Sequence, residues 1–397
     1  MRQRLFSGVI CLLLLSAVSF VHAQDDRLQI VASNSILANV ATIVAGDAAD
    51  VTSTMPAGAD PHSFQPTPNE LTALADADIV FVNGALFEEG LLEAIENAGT
   101  DMNIVTASSC VDILAFGEHD HDHEEEAGEH EEEHTVEPAA EVDSDIAALC
   151  ESHYAEMEAL HEASHDEGEE SAETEDHEGE DAEHDHSAGE SLGPLYTLNC
   201  ESQDHEEEHE EGEHNHGACD PHVWLDPHNV MYWTMLIRDT LIEADPANAD
   251  TYTSNAAAYL DELDTLAHDF IVPMVESVPE ENRILVTNHD AFGYFAAHYG
   301  FEVVGTVIPS GSTLAEPSTA DVAALIDTIR EANVPAIFAE TTVNTSLADQ
   351  IAEETGATIY TLYSGSLSDA DGPASTYVDY IHYNITTIVE ALGGGIE

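Results

Sequence analysis

The stretch RILVTNHDAFGYFAAHY, Arg283 to Tyr299, decides the fold. Arg283 to Thr287 is an apolar run short enough for a buried strand, and Phe292 to Tyr299 reads as a helix. His289 falls between them, at the C-terminal end of the strand, where open α/β sheets bind their ligands. The alternation continues downstream: strands at Glu302–Val307, Ala336–Ala339 and Thr358–Leu362, and helices at Thr319–Ala332, Ser346–Thr355 and Ser375–Leu392.

Upstream the pattern is the same. Strands are expected at Gln29–Ala32, Val51–Met55, Ile79–Val82 and Ile104–Val105. Helices are expected at Ile36–Val44, Asn69–Ala75, Phe87–Asn97 and Val230–Ala244. Pro246 to Val278 is a longer helical stretch, with Pro273 placed to bend or end it. Strands alternating with helices specify an α/β fold with mostly parallel sheets. The expected organisation is a first α/β lobe over 24–245, a long rigid linking helix over 246–282 and a second α/β lobe over 283–397.

Charge divides the chain differently. The sequence carries 81 Asp and Glu, six Arg and no Lys, for a formal net charge of −75. Residues 118–216 hold 39 of those acids and 15 of the 23 His. With so few large apolar residues, this insert is expected to be mostly disordered, with Ile146–Leu160 and Leu192–Leu198 as structured islands. The remaining 298 residues carry a net charge of −36, an acidic, Lys-free surface that fits a saline habitat. No basic face exists to neutralise phosphates, which excludes nucleic acid as a partner. Carboxylates and imidazoles are instead the ligands of divalent metals.

Residues 1–23 read as a signal peptide: Arg2 and Arg4, an apolar run from Leu5 to Phe20, and a cleavage site ending at Ala23. An exported, periplasmic protein is expected. Four cysteines then remain, Cys110, Cys150, Cys200 and Cys219, enough for two disulfides. Three pairings are open. The nested one, Cys110–Cys219 with Cys150–Cys200, would tie off the insert.

Three segments carry candidate ligands. In Gly58-Ala-Asp-Pro-His62-Ser-Phe-Gln-Pro66, prolines on both sides fix the backbone around His62. Asp220-Pro221-His222 repeats the Asp-Pro-His triplet, and a carboxylate so close to a ligating imidazole can orient its ring. A third copy, Asp226-Pro227-His228, follows at once, where His228 reads as a surface residue at a helix start. His289 completes the set.

In combination these segments resemble the zinc/manganese solute-binding proteins of ABC importers. PHSFQPTP with LADADIVFVNG, DPHVWLDP, NHDAFGYFAAHYGF, AEPS with IFAET, and TYVDYIHYN occur in that family's order across residues 28–115 and 219–392. The resemblance implies two lobes joined by a rigid helix, metal in the cleft between them, and His62, His222 and His289 as ligands. It also implies a membrane permease with its ATPase as partner, and a monomer. Where many members carry an Asp ligand, this chain has Gly365. Water is the first choice for the fourth position, with Asp60, Asp369 or Asp371 as substitutes. Three imidazoles favour Zn2+ over Mn2+. Zinc-binding members carry a His-rich acidic loop where this insert lies, and His119, His121, His123, His184, His186, His214 and His216 are candidate weaker sites. A zinc hydrolase is the competing class, since three His and a water also describe catalytic zinc, but no H-E-x-x-H pair occurs. A His-rich metal buffer would leave the lobes without a purpose.

Overall fold

The computed structural model describes residues 27–88, 91, 102–116, 137–139, 142–168, 191–200 and 219–395. The expected signal peptide, nearly all of the helix expected at 87–97 and most of the insert lie outside the described residues.

In the first lobe, β1 (Leu28–Ala32), β2 (Ala49–Ser53), β3 (Ile79–Val82) and β4 (Ile104–Thr106) form a parallel sheet in the order β2-β1-β3-β4. Helix α1 (Ser35–Ala45) follows β1, and the Asn34 side chain caps it by accepting from Leu37 N. Helix α2 (Pro68–Ala75) starts at a capping box made by Thr67 and Glu70. All four residues of β3 are buried, as a parallel strand covered on both faces must be.

The insert is not uniformly without structure. Helix α3 (Ser144–Gly168) and the short strands β6 (Glu137–Pro138), β7 (Ser191–Pro194) and β8 (Leu198–Asn199) are formed, with β7 antiparallel to β5 (Asp112–Leu114) and β8 to β6. The helix is fastened to the lobe by polar contacts. Arg238 grips Glu156 through both terminal nitrogens, at 2.6 and 3.0 Å, His153 pairs with Asp239 at 2.9 Å, and the Tyr154 hydroxyl donates to the Cys110 carbonyl at 3.0 Å. The two apolar islands are the parts that pack on the core, through Ile146, Tyr154, Met157 and Leu160, and through Leu192, Leu195, Tyr196 and Leu198.

The nested disulfide pairing is wrong. Cys110 bonds to Cys150 and Cys200 to Cys219. Docking of α3 beside Cys110 brings Cys150 into reach, and a bridge between Ala115 and Cys219 starts the returning chain next to the departing one. Each bridge therefore fastens one end of the insert.

The chain re-enters through α4 (Pro227–Ala244), then α5 (Ala249–Thr265), a π-helical stretch (Leu266–Ile271) and α6 (Val272–Glu276). Pro273, in the first turn of α6, lacks an amide hydrogen, and the widened turn just before it accommodates the missing bond. This run packs on α1 and α4 at one end. Strands β9 (Ile284–Thr287), β10 (Glu302–Thr306), β11 (Ala336–Glu340) and β12 (Thr358–Leu362) form the second parallel sheet in the order β10-β9-β11-β12. Both sheets thus place their strands second, first, third, fourth. Helices α7 (Gly293–Tyr299), α8 (Thr319–Glu331), α9 (Ser346–Thr355) and α10 (Tyr377–Ala391) complete the lobe, with α10 against α6. One apolar cluster runs through both lobes and includes Trp224, Trp233, Phe338 and Tyr377. Among the described residues no helix is long and apolar enough to cross a membrane.

Closing the 40-residue interval between Cys110 and Cys150 removes chain entropy worth about 2–4 kcal/mol from the unfolded state. The Cys110→Ala/Cys150→Ala protein is expected to lose stability of that order in urea unfolding. An unchanged midpoint would show that packing alone holds α3.

Candidate metal centre

Three imidazoles from distant parts of the chain converge. The ligating atoms of His62, His222 and His289 lie within 4.8 Å of one another, and all three residues are buried. His289 leaves the end of β9, next to the point in the sheet where the strand order reverses between β9 and β11. His62 lies on the loop after β2, and His222 at the start of the segment that follows the insert.

The Asp-Pro-His triplets share one local device. Asp60 Oδ1 accepts from His62 N at 3.1 Å, and Asp220 Oδ1 from His222 N at 2.9 Å. Asp220 Oδ1 also pairs with His222 Nδ1 at 2.8 Å, which turns Nε2 toward the cluster. For His289 the same task falls to Glu340 at the end of β11, whose Oε1 lies 2.6 Å from Nδ1. Glu340 is held in turn by the Ser364 hydroxyl. The two Nε2 atoms of His222 and His289 come to 3.2 Å. That spacing serves a hydrogen bond between one protonated and one bare nitrogen. It also matches two ligands of a tetrahedral zinc, about 3.3 Å apart for metal–nitrogen bonds of about 2.0–2.1 Å. The His62 ring stands near both, with centroids 5.6 Å from His222 and 5.4 Å from His289.

The walls are apolar and fixed. Phe87 meets Trp224 edge to face at 4.8 Å and also borders His62 and His222. Trp224 Nε1 and the Tyr380 hydroxyl both donate to the Ser364 carbonyl, and the Tyr377 hydroxyl donates to the Trp224 carbonyl. Burial pushes the Asp220 carboxyl up to about 8, against the backbone hydrogen bond from His222 and the nearby His289. Burial alone would lower the His289 imidazole, but the Glu340 charge and hydrogen bond outweigh it and raise it. Glu340 is driven up by burial and pulled below its ordinary range by His289. Glu340 is thus held in its ionised form beside His289, whereas burial resists ionisation of Asp220 until a cation is near.

No carboxylate belongs to the three-His group. Asp60 spends its second oxygen on the hydroxyls of Ser63 at 2.9 Å and Thr313 at 2.8 Å, tying the His62 loop to the second lobe. Asp369 and Asp371 are exposed. Gly365 is not spare room: a Cβ there would meet Pro61 Cγ at 2.7 Å and Cδ at 2.9 Å. The space that a side chain at position 365 would need is filled by the ring of Pro61, next to His62. His119, His121, His123, His184, His186, His214 and His216 lie outside the described residues. Glu340 was missed as an orienting group, although it ends the buried strand of the IFAET segment. A second group was also missed: Asp226, His228 and His298 lie within 4.8 Å of one another by their ligating atoms, so His228 is more than a bystander at a helix start.

The family described as zinc-uptake complex component A, periplasmic, matches residues 30–391. The chain is 28% identical over 400 residues to the manganese-binding lipoprotein MntA of Halalkalibacterium halodurans, covering 99% of each. It is 36% identical over 178 residues to the iron-binding protein YfeA of Yersinia pestis, covering 45% of this chain and 56% of that one. Its fold is similar to the periplasmic zinc-binding protein TroA from Treponema pallidum, with a TM-score of 0.62 and 22% identity, over 92% of this chain and 99% of that one.

A methyl group at position 365 must push Pro61, and with it His62. Gly365→Ala is expected to weaken divalent-metal binding by about 10–100-fold, the scale of changes just outside a metal's ligands. Wild-type affinity in a zinc competition titration would show that the His62 loop yields at no cost.

Proposed function

The chain belongs to the zinc-uptake complex component A family, and from that membership we propose that its cargo is Zn2+, held by His62, His222 and His289. Members of this family are metal-binding transport proteins rather than enzymes, and the chain is the substrate-binding component of a metal ABC importer. Its task is to bind, dock and release. The observation that carries the zinc reading is the ligand group itself: three buried imidazoles with no carboxylate among them. Nitrogen ligands and four-coordination suit zinc, whereas manganese favours oxygen. Water completes the set. Manganese is the second reading, favoured by the name of a relative that matches along nearly the whole chain.

The rest of the proposal follows from this cargo. The signal peptide ends near Ala23, and the exported monomer works outside the cytoplasm. Lobes 24–245 and 283–397 enclose the ion, with 246–282 as the strut between them. The permease and its ATPase receive it. His119, His121, His123, His184, His186, His214 and His216 supply weaker capture sites, and the acidic insert raises the local cation concentration.

Outer partners of a metal typically contribute 10–100-fold to affinity, so losing a ligand costs more. His62→Ala, His222→Ala and His289→Ala are each expected to weaken the tightest zinc site by more than about 100-fold. Competition between Zn2+ and Mn2+ for the wild-type site tests the cargo, and manganese outcompeting zinc would overturn it.

Protons compete for the same nitrogens. An ordinary imidazole titrates near about 6.5, and His289 is raised above that. The free site therefore begins to take up protons at a higher pH than three ordinary imidazoles would, and zinc must displace them. Affinity is expected to fall as pH drops from about 8 to about 5, with protons released on binding. A pH-independent affinity over that range would count against imidazole ligands.

A further inference from the structure

We propose that Asp226, His228, His268 and His298 form a second divalent-cation site of the zinc class, open to solvent where α4, the π-helical stretch and α7 meet. The starting point is the repeated triplet. In 220–222, the Asp carboxylate accepts from the His backbone N–H at 2.9 Å and grips the ring Nδ1 at 2.8 Å. In 226–228, the same two contacts recur, both at 2.9 Å. The device that presents Nε2 of His222 to the buried centre is therefore built twice, six residues apart.

The second copy has its own partners. The other oxygen of Asp226 pairs with His298 Nδ1 at 2.7 Å. The rings of His228 and His298 stack with centroids 4.5 Å apart and planes 19° apart. Two nearly parallel imidazoles thus hang from one carboxylate, each by Nδ1, and the ligating atoms of Asp226, His228 and His298 lie within 4.8 Å of one another. His268 stands perpendicular to His228 at 5.7 Å, its own Nδ1 held at 3.1 Å by the carbonyl and carboxylate of Asp264. All three rings show the carboxylate-to-imidazole orientation that tunes metal-bound His. Capping α4 needs only one Asp226 oxygen and the His228 amide, and does not account for the other contacts.

Access differs from the buried centre. The side chains of His228, His268 and His298 are 23%, 37% and 41% exposed, so a hydrated cation reaches them without any movement of the fold. His161, on the insert helix α3, lies 6.3 Å from His268 by ring centroids, which places an imidazole of the insert at the edge of the group. Imidazole nitrogen is a ligand suited to Zn2+, and Asp226 serves here as the carboxylate that orients two of the rings. Solvent exposure makes the site weaker than the buried one. The site stands on its own geometry and does not depend on the cargo of the cleft.

The test uses the full chain and Zn2+ alone. Zinc stoichiometry, measured against a chromogenic chelator, is expected to fall by one equivalent in the His228→Ala/His298→Ala protein, while the tightest site keeps its affinity. Equal stoichiometry in the two proteins would overturn the proposal. If the double variant does not fold, the wild-type protein provides the second measurement. Imidazole nitrogen NMR resonances of His228, His268 and His298 should move at Nε2 under saturating Zn2+. Resonances that stay at their metal-free positions would overturn it equally.

Discussion

A buried imidazole has two nitrogens and can offer a cation only one. The rest of the structure depends on fixing the other. Asp220 holds Nδ1 of His222, and Glu340 holds Nδ1 of His289, so both Nε2 atoms face the same point. These carboxylates are buried and need partners of their own. Glu340 takes the Ser364 hydroxyl, and the Ser364 carbonyl collects Trp224 and Tyr380. Tyr377 anchors Trp224 from behind. Tyr294 donates to the Asp220 carbonyl and accepts from Leu114 N. The apolar core and the polar centre are thus one construction, in which large aromatic residues bury their rings and use their polar tips to stiffen the ligand loops.

The repeated sheet order explains where that centre sits. Each sheet reverses direction of winding between its first and third strands, which opens a crevice at the carboxyl ends. In the second lobe His289 and Glu340 occupy those two ends. In the first lobe the corresponding place is closed by Glu88, which accepts from the Ser33 hydroxyl and from the amides of Asn83 and Gly84. The first lobe supplies its imidazoles instead from the loop after β2 and from residue 222. An ion between the lobes would therefore be held by a strand end on one side and proline-fixed loops on the other.

Much of this was legible in residue order, for local reasons. Strand and helix alternation is written in apolar spacing, and the Pro-flanked loops marked His62 and His222. The elements that escaped notice depend on contacts remote in sequence. Glu340 lies 51 residues from His289, and Asp226 lies 72 residues from His298. Nothing in the spacing of either pair announces that the fold will join them. The disulfides were misread for a related reason. The apolar stretches of the insert were legible in the sequence, but not that they would dock α3 and β7 on the lobe and so bring each cysteine to its nearest neighbour.

The sequential disulfides have a topological consequence. Neither bridge spans the interval from Cys150 to Cys200. Covalent continuity across that interval rests on the peptide chain alone. A single break there would divide the molecule into two polypeptides, each keeping its own bridge. The first would carry His62, and the second His222 and His289. Non-covalent contacts alone, the shared core together with pairs such as Arg238–Glu156 and Thr313–Asp60, would then keep the three imidazoles together. In this sense the protein is already arranged as two complementary fragments, and the insert can lengthen, shorten or open without any bond of the metal centre having to follow it.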